Sequence, residues 1–229
     1  MTAANHHPLR RLGGFTLIEL LVAISLMALM AGLSWRGIDG LSRTQTQLSQ
    51  RADEVLTLQA TLAQWGADLD AMTSQPELPG LDWDGRALRI LRRSSTAVAD
   101  GLLVVAWARR AEGGQGHWLR WQSPALQNRT DLDLAWQKAA LWAQNPSDED
   151  RLLEVRTVPL EQWRVFYYRS NAWSNPLSSV GNSEPDPANP TAASSVPDGV
   201  RLVLTLPVGQ AVSGTLTRDW VQPLLGGGK

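Results

Sequence analysis

The apolar positions of this chain change rhythm twice. From Phe15 to Ser34 almost every residue is apolar or small, and Glu19 carries the single formal charge. At about 1.5 Å per residue, a helix over that run spans about 30 Å, the thickness of a bilayer core. The pattern then becomes a stripe. Leu41, Leu48, Val55, Leu62 and Leu69 recur every seven residues, and Leu58, Trp65 and Met72 fill the position three residues after the last three of them. Thr44 and Arg51 occupy that companion position earlier, so the stripe is narrow to about Arg51 and broad from Val55 onward. Gly37 and Gly40 weaken the helix locally without ending it. A narrow stripe suits a neck facing water or other subunits, and a broad one suits a helix lying on a sheet. The spacing predicts one long helix over 15–72, about 87 Å if continuous, with Thr73–Pro76 and Pro79-Gly80 breaking it.

Beyond the helix the period shortens to two. Ala87 to Arg92 reads as a strand, and the β-branched run Leu102 to Trp107 as a central one. Glu112–Gly116 is a turn, returning through His117 to Gln122 as a hairpin. Leu132, Leu134 and Trp136 alternate, so 130–143 is read as strand, although Gln137 to Ala143 also fits a helix. Leu152 to Val158, Gln162 to Arg169, Val200 to Leu206 and Gly214 to Val221 complete the strands. Ser174 to Gly199 is rich in proline, serine and turn formers. It holds too little apolar surface to fold alone and reads as a mobile loop, with a partner-binding loop that orders in a complex as the second reading.

The flanks of the first apolar run change the picture. Arg10 and Arg11 precede it with no acid beside them, which keeps the first residues in the cytoplasm and places the rest outside. A secretory signal has a shorter apolar region followed by a small-x-small cleavage site, and Leu29-Met30-Ala31 supplies only half of one. The small residues Gly13 and Gly14 lie before the run instead, where glycine offers a peptidase an unobstructed backbone. Glu19 inside an apolar span costs a few kcal/mol and marks a functional position.

Gly14-Phe15-Thr16-Leu17-Ile18-Glu19 resembles the processing site of type IV prepilins and type II secretion pseudopilins. The resemblance implies that a prepilin peptidase cuts between Gly14 and Phe15 and N-methylates Phe15. Glu19 is then the fifth residue of the mature chain and serves assembly by meeting the amine of a neighbouring subunit rather than a group of its own. A plain membrane anchor with an incidental Glu19 is the simpler alternative.

Further along, Gln64-Trp65-Gly66-Ala67-Asp68-Leu69 is similar to a segment of the J-type minor pseudopilins of type II secretion, the GspJ/PulJ family. So are Leu160 to Tyr168 ending in Ala172-Trp173, and Pro197-Asp198-Gly199 running into Val200 to Leu204. The long 131–150 region and the proline-rich loop depart from that pattern. The resemblance implies an α+β, pilin-like fold: a long N-terminal transmembrane helix packed on a periplasmic antiparallel β-domain of two small sheets. The expected organisation is a leader over 1–14, a transmembrane segment over 15–35, a periplasmic continuation of the helix over 36–72, and a β-rich domain over 73–225 containing the loop 174–199.

Composition narrows the chemistry. Lysine and arginine total 21 against 22 acids, and loss of Arg10 and Arg11 with the leader leaves 19 against 22, a net charge of −3. That gives no electrostatic case for nucleic acid. There is no cysteine, and His117 is the single histidine after the leader, since His6 and His7 lie within it. His117, beside Gly116, reads as an exposed hairpin residue. Eleven tryptophans against two phenylalanines and two tyrosines read chiefly as core. Asp82-Trp83-Asp84-Gly85 has the opening of a calcium loop without its later ligands, and turn chemistry explains it better. Ser147-Asp148-Glu149-Asp150 reads as a charged turn or helix cap, and calcium binding at either acidic cluster stays open as the second reading.

No nucleophile–base pair is visible, so no enzyme, no cofactor and no metal site are expected. The implied role is a minor pseudopilin in the tip complex that primes the type II secretion filament for export across the outer membrane. The implied partners are the I- and K-type minor pseudopilins, the H type as a further candidate, the major pseudopilin, the prepilin peptidase and the inner-membrane secretion platform. The implied location is the bacterial inner membrane, single-pass, with the C-terminal domain periplasmic. The alternatives are a minor type IV pilin for pilus assembly or DNA uptake, and a stand-alone anchored periplasmic binding domain.

Overall fold

The structure, a computed structural model, describes residues 14–75, 78–94, 101–178 and 196–223. Helix α1 covers Leu17–Asp70. The chain divides into two compact units, Met1–Gln50 and Arg51–Lys229. In the first, every described residue is exposed, Leu41 and Leu48 included.

The second unit begins with the broad part of the stripe. There Leu58, Thr61, Trp65, Asp68 and Leu69 are buried, a spacing of three to four residues that keeps one helical face inward. A five-stranded antiparallel sheet follows in the order β1-β2-β3-β4-β5, built from Leu81–Trp83, Ala87–Arg93, Leu102–Glu112, Gln115–Gln122 and Glu154–Pro159. A four-stranded antiparallel sheet has the order β7-β6-β8-β9, from Ala172–Ser174, Gln162–Arg169, Gly199–Leu206 and Gly214–Val221. The architecture is α+β, a long apolar helix followed by two antiparallel sheets, consistent with a pilin-like fold.

One core joins Leu58, Trp65 and Leu69 of α1 to inward residues of both sheets, among them Ile90, Trp107, Trp118, Val165, Leu202 and Trp220. A tryptophan chain crosses between the sheets: Trp107 lies 4.4 Å from Trp118, Trp118 5.9 Å from Trp163, and Trp163 4.7 Å edge-on from Trp83. A second core covers the other face of the larger sheet. This explains the unbroken apolar run of β3, which is buried on both sides.

That second core corrects the sequence reading. Residues 130–143 form not a strand but most of helix α2 (Arg129–Gln144). Asn128 caps it by accepting the Asp131 amide at 2.8 Å. Leu132, Ala135, Trp136, Ala139, Trp142 and Ala143 pack on the sheet at helical spacing. Leu134, which gave the false alternation, is 59% exposed.

Smaller differences are local. The short strands β1 and β7 and the helix α3 (Asp148–Leu152) were not expected as elements. Ser147 and Asp150 form a capping box, which realises the cap reading of that acidic cluster. Asp84 accepts the amides of Arg86 and Ala87 at 2.8 and 2.7 Å, so Asp84 and Gly85 belong to the turn between β1 and β2, while Asp82 and Trp83 end β1. α1 ends at Asp70 rather than near Met72. Ser174 and Gly199, the ends of the expected loop, belong to β7 and β8, and residues 179–195 lie outside the described residues, as does the leader except Gly14.

Candidate processing and assembly site

Gly14, Phe15 and Thr16 precede the helix in non-helical backbone, and all three are exposed. The helix begins because Thr16 and Glu19 serve each other. The Glu19 carboxylate accepts the Thr16 backbone N–H at 3.0 Å and the Thr16 hydroxyl at 2.8 Å, and the Glu19 amide donates to the Thr16 hydroxyl oxygen at 3.4 Å. This is the reciprocal threonine–glutamate arrangement of a capping box, which satisfies donors that a helix start otherwise leaves open. In the free chain, therefore, Glu19 has partners of its own. The neighbour's amine expected from the resemblance would have to replace them.

Gly14 is not demanded by the fold. Its φ is not positive, and a Cβ added there would meet nothing within 4 Å. Among the described residues, nothing in the fold requires a glycine at that position. Phe15, at 88% exposure, and the surrounding apolar side chains have no cover within their unit. The helix is long and apolar enough to cross a membrane, and none of its apolar run is buried inside the protein.

A second polar centre, unread from sequence, fixes the other end of the helix. Asp68 is fully buried and accepts four different side chains. Arg120 on β4 binds it in bidentate fashion at 2.8 Å for both contacts, Arg92 on β2 at 2.5 Å, the Trp107 indole on β3 at 2.9 Å and Gln64 at 3.0 Å. Three adjacent strands thus hold one helical carboxylate. Buried charges persist only when paired and hydrogen-bonded in this way. The available signal was that Asp68 sits on the buried stripe, seven residues after Thr61, while Arg92 and Arg120 interrupt apolar strand faces. At the helix end, Asp70 accepts the Trp220 indole at 2.8 Å from the smaller sheet.

Three further carboxylates, Glu112, Asp219 and the buried Asp150, are also paired. Arg110 hydrogen-bonds Glu112 and, with Arg156, holds its carboxyl below the ordinary range. The Arg201 fork does the same for Asp219 at 2.7 Å. Burial pushes the Asp150 carboxyl up, but bonds from Ser147 and Lys138 outweigh it and leave it lowered. His117 lies half-buried in β4 opposite Pro159 rather than exposed in the hairpin, because β5 covers that end of the strand. Among the described residues no group of three or more histidines or acids is arranged to hold a metal ion.

Residues 9–35 match the prokaryotic N-terminal methylation motif. A search of curated proteins returns no match. The motif indicates a type IV pilin-like or pseudopilin protein, carried on an N-terminal apolar helix. It points to processing by a prepilin peptidase and assembly into a pilus-like filament. Proteins of that class are structural subunits rather than enzymes.

Proposed function

We propose that this chain is a minor pseudopilin of a type II secretion system, a subunit of the tip complex that primes the periplasmic filament. The observation that carries the reading is the pair of small antiparallel sheets behind one long helix, the arrangement that the resemblance to J-type minor pseudopilins implies. In this reading residues 1–14 are the leader, 15–35 span the inner membrane, 36–72 continue the helix in the periplasm, and 73–225 form the domain with its loop at 174–199.

Cleavage between Gly14 and Phe15 frees an amine on Phe15, which is then methylated. An ammonium and a carboxylate brought into a dry helical bundle each carry a heavy desolvation cost unless paired. Thr16 holds Glu19 in the free chain. As the helix leaves the bilayer, the Phe15 amine of a neighbouring subunit takes over that carboxylate and fixes the axial register. Glu19→Ala still inserts and is still cut, because the peptidase reads the glycine side. It assembles poorly and lowers secretion, whereas normal secretion at native expression levels contradicts the role.

The finer identity is tested by co-purification. The chain trimmed to begin at about Arg43 should be soluble and should join I- and K-type pseudopilins trimmed in the same way, through the exposed helix near Leu41 to Arg51 and neighbouring loops. Failure of every pairwise and ternary mixture to associate favours a minor type IV pilin, which shares the same motif, or a stand-alone anchored domain.

A further inference from the structure

The two sheets present four edge strands, and three of them are blunted. β1 and β7 have three residues each. β5 ends on Pro159, and its register against β4 is irregular between His117 and Leu119. Short strands, proline and bulges are the usual protections of a sheet edge. β9 has none of these three, and its charged side chains Arg218 and Asp219 are its remaining protection. It runs for eight residues, Gly-Thr-Leu-Thr-Arg-Asp-Trp-Val, in unbroken register with β8.

The phase of that ladder shows what the edge offers. Gln222 donates its backbone N–H to the Asp198 carbonyl at 2.9 Å, in register with the β8–β9 pairing. In an antiparallel pair the bonded residues alternate. Leu216, Arg218 and Trp220 therefore turn their backbone groups toward β8, and Thr215, Thr217, Asp219 and Val221 turn theirs away. Those four residues are exposed, and among the described residues no strand pairs with β9 on the side away from β8. Their N–H and C=O groups form a template for an added strand.

Charge decides what the edge accepts. Asp219 is neutralised by Arg201 of the neighbouring strand. Arg218 is exposed and makes no ion pair among the described residues. A second copy of this chain would meet it badly. A two-fold antiparallel pairing that uses all four outward residues sets Thr215 against Val221 and Thr217 against Asp219, and so sets Arg218 against Arg218. Shifting the axis one residue on sets the Arg201-paired Asp219 against its own copy, and shifting it one residue back leaves Val221 unpaired, so a second copy uses all four outward residues only by opposing Arg218 to itself. Like charges directly opposite one another destabilise a strand pair.

We propose that β9 is a docking edge on which an extended segment of a different protein adds as a fifth strand, with a carboxylate side chain opposite Arg218. Main-chain hydrogen bonds supply the affinity, the carboxylate opposite Arg218 sets the register, and Arg218 itself disfavours a second copy. The inference needs neither the membrane segment nor the filament reading, since it rests on the smaller sheet alone.

The test uses the full chain in detergent micelles, with residue-resolved amide exchange. The probe is a short end-blocked peptide alternating threonine and valine around one central glutamate, compared with the same peptide carrying lysine. The glutamate peptide should slow exchange at Thr215, Thr217, Asp219 and Val221 by about tenfold or more, and the lysine peptide should not. Arg218→Glu should reverse that preference. Thr217→Pro should abolish the effect while Leu216, Arg218 and Trp220 stay protected by β8, because the amide it removes faces outward. Three results overturn the proposal: no slowing with either peptide, outward amides already slow in the chain alone, or slowing that follows protein concentration without peptide, the mark of a second copy.

Discussion

Leu48 and Leu62 occupy the same heptad position of one helix, yet Leu48 is 61% exposed while Leu62 packs against the main core. What separates them is the company each keeps. Three residues beyond Leu62 stands Trp65, fully buried, and three beyond that Asp68, held by two arginines and an indole. Three residues beyond Leu48 stands Arg51, which is exposed. An apolar stripe is thus a statement about some partner, not about a partner within the same chain. From Arg51 onward α1 finds that partner in its own sheets. Before it, the apolar side chains have no cover in their unit, and the methylation motif there points to a membrane anchor.

The comparison breaks hardest at Asp68. Asp68→Ala leaves Arg92 and Arg120 buried without a counter-charge, and loss of one partner of such a pair costs about 3–5 kcal/mol. Urea unfolding followed by tryptophan fluorescence should show a loss of that size. Replacing Asp68, Arg92 and Arg120 together by apolar residues should lose less than Asp68→Ala alone, because no charge is then stranded.

Acid provides a gentler test. Glu112, Asp150 and Asp219 have folded-state pKa values lowered by their partners. A depressed carboxyl contributes stability that is present above its unfolded value, about 4, and is lost as pH falls through the folded one. The thermal midpoint should hold between pH 7 and 5, as far as these groups govern it, and fall below about 4. A midpoint that rises on acidification contradicts these pairings. The smallest effect is expected from Leu48→Gln, which should move the unfolding free energy of the second unit by less than about 0.5 kcal/mol, the range of surface changes. A larger loss would mean that the exposed half of the stripe supports the domain after all.

The legibility of the sequence follows the same division. Long strands with inward β-branched or aromatic residues, such as β3, β6 and β8, were read because their period is carried by bulky side chains. β1 and β7, at three residues each, are too short to show a period. α2 was misread because its sheet-facing side is carried largely by Ala135, Ala139 and Ala143, small residues that weigh little in a pattern. Leu132, Leu134 and Trp136 meanwhile alternate by chance. At the processing site, Gly14, Phe15 and Glu19 stood out because they break an otherwise simple apolar run. The Thr16 contacts of Glu19 follow a threonine-x-x-glutamate capping pattern, but it lies inside the processing motif, which gives the same residues a second meaning. Asp68 was visible as a residue but not as a centre, since its partners come from strands about 24 to 52 residues away.

Mass spectrometry of the N-terminal peptide from the membrane fraction tests the proposed processing directly. The expected peptide begins at Phe15 and carries one N-methyl group. Gly14→Val should give only the uncut precursor, with the unfolding of the second unit unchanged because among the described residues a side chain added there meets nothing within 4 Å. A mature chain that begins at Met1, or downstream of Ala31, contradicts the account.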